Sequence, residues 1–267
     1  MDNPDSKLGL SYFQRFSMPL KRIVVIANPK AGKRVGGALD GAVALLNTMV
    51  PTHIEFTRQA GHARQLASEF GQDPDNLVAV CGGDGTLNEA LNGLPEQGVL
   101  GILPAGTANV VAREFGIPLN LIEAAKTLLT GAVRRIDVGF ANDRRFLMVS
   151  GFGYDAHVAG QVPGFTKSLL GKYAYHLQAC LNYPAYSVPS LKVQVDGEGA
   201  WHQGAFALIA NLRRYGGDLF FADDARPDDG LLNLVLFRDL SPLSLLRGVG
   251  GAFRRVGVPE TAAIRLC

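Results

Sequence analysis

The chain has 267 residues, 47% of them hydrophobic and 19% charged, with a formal net charge of +2. This balance supports a large buried core and excludes global disorder, and the weak net charge excludes a nucleic-acid binder that works through a basic surface. Three cysteines (Cys81, Cys180 and Cys267) and five scattered histidines make neither a disulfide framework nor a metal-ligand cluster, so no zinc site is expected and a reducing, cytoplasmic compartment is.

Residues 1–18 contain Asp2, Asp5, Lys7 and Arg15 and lack an apolar stretch, so they read as a loose extension rather than a secretion signal. No run reaches the roughly 18 apolar residues of a membrane span, so any membrane contact is expected to be peripheral. The run Ile23-Val24-Val25-Ile26 inside 21–27 reads as a buried parallel strand ending at Asn28-Pro29. A helix is expected at 38–49, a strand at 53–57, a helix at 62–70 and a second buried strand at 77–81. The glycine loop Gly82-Gly83-Asp84-Gly85-Thr86 leads into a helix at 86–92, and a strand at 99–103 ends in Pro104-Ala105-Gly106-Thr107. Helices follow at 108–115 and 121–130. Alternating strands and helices predict a doubly wound, mostly parallel α/β sheet over 19–134.

The pattern changes near residue 135. Strand-like runs at 146–149, 191–195, 206–210 and 231–237 are separated by Gly and Pro turns, with one helix at 168–181. A β-rich second domain over 135–267 is expected, and no internal repeat is found.

Chemistry is expected where the glycines fall. Asn28-Pro29-Lys30-Ala31-Gly32-Lys33, the 82–86 loop and 104–109 each follow an apolar strand, and the carboxyl ends of parallel strands form the ligand crevice of an open sheet. Gly82 and Gly83 let backbone approach a phosphate and offer N–H donors, and Thr86, Leu87, Asn88 and Glu89 lie where a helix start adds partial positive charge. Asp84 fits a carboxylate that binds Mg²⁺ on a triphosphate or accepts a hydroxyl proton, and fits equally a helix cap. Lys30 and Lys33 suit phosphate oxygens or plain surface. Thr57, Thr107 and Asn109 suit nucleotide contacts, or a loop and a cap. The loops match neither GxxxxGK[ST] nor GxGxxG, so a Walker A loop and a dinucleotide fold are both unsupported.

The stretch from Cys81 to Glu89, with Leu100-Gly101-Ile102-Leu103-Pro104-Ala105-Gly106-Thr107-Ala108-Asn109, resembles the diacylglycerol kinase catalytic domain, in the form found in soluble bacterial lipid kinases similar to sphingosine kinases. Ser150-Gly151-Phe152-Gly153-Tyr154-Asp155-Ala156, Ala210 to Gly217 and Pro227-Asp228-Asp229-Gly230-Leu231-Leu232 resemble signatures of that family's second domain. The resemblance implies an α/β nucleotide domain related to those of phosphofructokinases and NAD kinases, joined to a β-sandwich with the active site between them. It implies ATP and Mg²⁺ as cosubstrates. Nucleotide contacts would fall on Asn28, Pro29, Lys30, Ala31, Gly32, Thr57, Gly82, Gly83, Asp84, Gly85, Thr86, Leu87, Asn88 and Thr107. A structural Mg²⁺ would fall on Asp229 and the Leu231 carbonyl, with Asp228. The Asp228-Asp229-Gly230 letters also suit a hairpin turn.

The family's C-terminal Asp-Gly-Glu strand, which carries its general base, has no match after that turn. Asp196-Gly197-Glu198 has the letters but lies in an earlier hairpin, and Asn233 replaces a common acidic residue. The chain therefore reads as a fragment lacking the last strands, or as a variant whose base lies elsewhere. The expected function is ATP-dependent transfer of a γ-phosphate to a lipid hydroxyl at a membrane surface, with Asp84 as the catalytic carboxylate and a homodimer an open option. The rivals are a small-molecule kinase of the NAD-kinase type and a non-catalytic nucleotide-binding module. Tyr173, Tyr175, Tyr183 and Tyr186 suit packing better than an acyl-chain contact.

Overall fold

The computed structural model describes residues 14–15, 20–31, 35–161, 190–196, 199–216, 218–239, 241, 252 and 263–266. The expected extension, apart from residues 14–15, lies outside the described residues. So do Gly32, Lys33, the 168–181 helix with Tyr173 and Tyr175, and also Tyr183, Tyr186, Gly197 and Glu198. The chain divides into two compact units, one of 1–106 with 117–136 and the other of 107–116 with 137–267.

The first unit is built on the strand read from Ile23-Val24-Val25-Ile26. After β1 (Gln14–Arg15), β2 (Arg22–Ala27) has its last five residues buried, as a β-branched run flanked on both sides must be. It is followed by α1 (Val35–Asn47), β3 (Thr52–Phe56), α2 (His62–Phe70), β4 (Asn76–Gly82), α3 (Asp84–Leu91) and β5 (Leu100–Pro104). The sheet order is β3-β2-β4-β5, all parallel, with Ile23 facing Thr52 and Leu77, and Val78 facing Leu100. The chain winds to one side after β2 and to the other after β4. The order therefore reverses between β2 and β4, where a ligand crevice is expected in such sheets.

Alternate strand residues go to opposite faces. Ile23, Val25, Ala27, Leu77, Ala79 and Cys81 meet Leu39, Ala42 and Leu46 of α1 and Leu121, Ala124 and Ala125 of α5 (Leu121–Thr130). α2 and α3 pack on each other and on β4, with α2 also reaching β2. Asn120 starts α5 by accepting from Ile122 N at 3.0 Å and Glu123 N at 3.2 Å, the side-chain cap that Asn supplies well. β6 (Ala132–Val133) pairs antiparallel with β1.

The second unit holds α4 (Val110–Glu114) and, from β7 (Gly139–Ala141) and β8 (Arg144–Phe146) onward, antiparallel structure. The strand expected at 146–149 is replaced by β8 and by β9 (Val149–Gly153), which pair with different partners. α6 (Tyr154–Gln161) follows and was not anticipated. β10 (Leu191–Gln194) and β11 (Trp201–Gly204) form a hairpin, and Asp196 lies in the connection between them, as expected. β12 (Phe206–Ala210), the β13 (Arg214–Tyr215) and β14 (Leu219–Phe220) pair, β15 (Leu232–Phe237) and β16 (Ala263–Leu266) complete the described elements.

The larger sheet runs β16-β15-β12-β9, antiparallel throughout. One face carries Phe206, Leu208, Ala210, Val235 and Phe237 with Tyr154 and Val158 of α6, and the rings of Phe206 and Phe237 stack at 4.1 Å. The other face carries Ala207, Leu234 and Leu236 under Leu191, Val193 and Val195 of the hairpin. Two apolar faces, each covered, make this unit sandwich-like.

Candidate active site

Asn28 follows β2 and acts as a joint. Its N–H donates to the Cys81 carbonyl at 3.0 Å, and its Nδ2 donates to Thr86 Oγ1 at 3.2 Å. Its Oδ1 accepts from Lys30 N at 2.9 Å and its carbonyl accepts from Ala31 N at 2.9 Å, which curls the first turn. Pro29 and Lys30 are exposed. Thr57, just past β3, donates its N–H to the Ala27 carbonyl at 2.9 Å, so it stands beside the same turn.

The glycine loop needs its glycines for close approach. A Cβ on Gly82 would lie 2.9 Å from Thr86 Cβ, and one on Gly83 would lie 3.1 Å from the Gly106 Cα. Ala105 N donates to the Gly82 carbonyl at 2.9 Å, which draws the turn after β5 against the loop. The turns after β2, β3, β4 and β5 therefore gather at one edge of the sheet. Gly106 ends the first unit, whereas Thr107 and Asn109 belong to the second.

α3 begins at Asp84, two residues before the expected start, because Gly83 is the residue before the helix and its carbonyl accepts from Leu87 N at 3.0 Å. Asp84 is thus the first helical residue, and Gly83, in the cap position before it, offers no side-chain bond. The first-turn N–H groups of 84–86 have no intrahelical carbonyl to bond, the situation in which a helix start favours an anion. Gly85 is exposed, and a Cβ there would meet nothing within 4 Å among the described residues. Asn88 has a buried Oδ1 without a hydrogen-bond partner among the described residues. Cys81, buried beneath the loop, has its thiol pushed up to about 12 by burial, so it is not a nucleophile at neutral pH.

The Asp228-Asp229-Gly230 stretch is not a hairpin turn, because β15 pairs with β12 and β16 and not with β14. Asp229 Oδ1 accepts from Leu231 N at 3.0 Å, and Gly230 at φ +75° donates its N–H to Asp137 Oδ2 at 2.7 Å. Asp137 also donates its own N–H to the Pro227 carbonyl at 2.6 Å, and its carbonyl accepts from Asn211 Nδ2 at 2.8 Å. Sequence reading missed this brace, since the bonded residues lie 93 and 74 positions apart. It also missed Glu114, whose carboxylate is 3% exposed, accepts from Arg213 Nε at 2.7 Å and pairs by charge with Arg214 Nε at 3.5 Å. Among the described residues, no three His, Cys, Asp or Glu side chains gather as a metal centre.

Residues 22–141 match the family model of the diacylglycerol kinase catalytic domain, and 148–254 match that of the YegS C-terminal NAD kinase beta sandwich-like domain. A diacylglycerol kinase of Bacillus subtilis is 29% identical over 241 residues, covering 88% of this chain and 80% of that protein. One from Staphylococcus saprophyticus is 29% identical over 222 residues, covering 81% and 72%. Two crystal structures from Bacillus anthracis described as diacylglycerol kinases superpose with TM-scores of 0.77 and 0.70 at 28% and 26% identity. They cover 96% and 92% of this chain, and 85% and 83% of their own. Both domain types are matched in this order over most of the chain's length, an arrangement consistent with the diacylglycerol kinase catalytic-domain family.

Proposed function

We propose that the chain is an ATP-dependent lipid kinase that moves the γ-phosphate to a lipid hydroxyl through the turns at the edge of its parallel sheet. The observation that carries this reading is the convergence of the Asn28 turn, Thr57, the 82–86 loop and the 104–106 turn at the point where the strand order reverses.

Two features fit a triphosphate and are left unexplained by packing alone. Among the described residues, nothing fills the space beside Gly85 where any other side chain would stand, and Asn88 Oδ1 is buried without a partner. The first-turn N–H groups of α3 would bond phosphate oxygens, and Asn28 would hold Thr86 in place beneath them. Asn28, Pro29, Lys30, Ala31, Gly32, Thr57, Gly82, Gly83, Asp84, Gly85, Thr86, Leu87, Asn88 and Thr107 remain the proposed nucleotide contacts. Asp84 would turn its carboxylate to the metal-bearing triphosphate or to the attacking hydroxyl. Positioning and charge stabilisation then account for most of the rate, as in phosphoryl transfer generally.

Asp228, Asp229 and the Leu231 carbonyl supply oxygen donors of the kind Mg²⁺ accepts, and one or two carboxylates are its usual complement. A bound Mg²⁺ would neutralise charge there and stiffen the loop before β15. The acceptor's bilayer would be met peripherally, since no helix among the described residues is long and apolar enough to cross a membrane.

The test is transfer of label from ATP to a panel of diacylglycerol, monoacylglycerol, a sphingoid base, phosphatidylglycerol and NAD⁺. Label in a lipid supports the reading; label in NAD⁺ alone overturns it. Asp84→Asn should cut turnover by about a hundredfold or more, the scale of a lost acid–base group, while melting stays unchanged. Undiminished turnover would remove Asp84 from the mechanism.

A further inference from the structure

We propose that Glu89 is a positioning residue that ties the 57–61 loop to the glycine-loop helix, so that two of the nucleotide turns move as one body. The inference rests on the kinase reading for what these turns hold, but its physical basis is independent of turnover.

The 57–61 loop is held by few bonds of its own, among them His62 N donating to the Gln59 carbonyl at 3.2 Å. Thr57 is bonded to Ala27 at its start, and Arg58 N donates to His62 Nδ1 at 3.1 Å. The loop ends at Gly61, which precedes α2 with φ +81° and offers no capping side chain. α2 also has no acidic residue in its first turn, so its positive end lacks a local partner. Glu89, 28 residues later on α3, fills that gap: its Oε2 accepts the Gly61 N–H at 3.0 Å. A carboxylate accepting from a backbone N–H makes a charge-assisted bond, stronger than a neutral one.

Glu89 can reach Gly61 only because the helices lie close together. Gly93, just beyond α3, sits against the Arg64 carbonyl of α2 so tightly that a Cβ there would collide with it. Glu89 lies one residue after Asn88 and three after Thr86, on the helix that starts at the glycine loop. The same short helix thus carries the glycine loop at its start and the anchor for the Thr57 loop near its end. Glu89 acts through the backbone of Gly61 and is not assigned a contact with the nucleotide.

The experiment compares Glu89→Ala, Glu89→Gln and a control, Ala90→Gly, which weakens α3 without touching the Gly61 bond. Amide exchange of the nucleotide-free chain and ATP affinity by calorimetry are measured for each. Glu89→Ala should speed exchange at 58–62 by about tenfold, the scale of one charge-assisted hydrogen bond, with β2 and β4 unchanged. ATP affinity should fall by a similar factor. Glu89→Gln, which keeps an acceptor, should restore most of both. Ala90→Gly should lower melting and leave both readouts at parent values.

Unchanged exchange in Glu89→Ala, a loosened loop with parent-like ATP affinity, or equal effects in Ala90→Gly would each overturn the proposal. A parent that binds ATP but phosphorylates no acceptor would count against the function reading alone, because neither readout requires transfer.

Discussion

Gly85 separates the demands of the fold from those of the ligand. It is the second residue of α3, in a helix where glycine is disfavoured against alanine by about 0.8–1 kcal/mol at interior positions. A Cβ at this position meets nothing within 4 Å among the described residues. Gly85→Ala should therefore stabilise the protein by up to about 0.5–1 kcal/mol, through helix propensity and a less flexible unfolded chain. For a domain of this size that is a rise in melting temperature of roughly 1–3 °C. In the proposed complex the methyl group would crowd phosphate oxygens at the first-turn N–H groups. Hydrogen bonds there need about 2.7–3.2 Å, whereas a methyl carbon keeps about 3.5–4 Å. Losing one hydrogen bond to a charged group costs about 1.5–3 kcal/mol, or roughly a tenfold to hundredfold loss of ATP affinity. Gly82→Ala is the contrast, since its Cβ would be 2.9 Å from Thr86 Cβ. That variant should lose about 1–3 kcal/mol of stability through overpacking. Thermal melts and ATP titration calorimetry on both variants decide the matter. A Gly85→Ala protein that binds ATP within twofold of the parent would refute the placement of phosphate at this helix start, and one that is clearly destabilised would refute the open-space argument.

Cys81 gives a pH prediction with a definite sign. The folded thiol is pushed up from 9.0 to about 12, so the fold favours the protonated form. This component of stability is complete below pH 9 and is lost as pH rises toward 12, because the unfolded chain releases its proton first. At about 1.4 kcal/mol per pH unit, the parent should lose roughly 2 kcal/mol more than Cys81→Ala between pH 8 and 10.5 in urea titrations. Equal losses would refute the assignment. Asp137→Ala should cost about 1–3 kcal/mol by leaving the Gly230 N–H without its acceptor. Mg²⁺ should raise the parent's melting temperature, and that rise should shrink in Asp137→Ala and vanish in Asp229→Ala; an undiminished rise in either variant would move the metal away from this loop.

The parallel sheet was legible from local signals. A β-branched apolar run such as Ile23-Val24-Val25-Ile26 is stable only when covered on both faces, and the glycines after each run mark where backbone must turn sharply or approach closely. The helix start at Asp84 was misread because Gly85 is a poor helix former, yet the Gly83 carbonyl already accepts the first helical bond from Leu87. The hairpin reading of Asp228-Asp229-Gly230 failed for a related reason. Turn chemistry is local, but which strands then pair depends on β12, which ends 18 residues before Asp228, and β16, which starts 33 residues after Gly230.

By itself, the sequence determined which residue types stood ready at the strand ends: Asn28, Thr57, Gly82, Gly83, Asp84, Gly85 and Thr86. Periodicity and turn propensity act over a few residues, so the order of elements and the location of the turns could be read from them. Only the tertiary structure decided the partners. It placed Asn28 against Thr86, Glu89 against Gly61, Asp137 beneath Gly230 and Glu114 between Arg213 and Arg214, and it assigned 107–116 to the second unit. Those pairings span 28 to 100 residues, and what selects them is the burial of shared apolar faces and the bonding of polar groups that burial would otherwise strand.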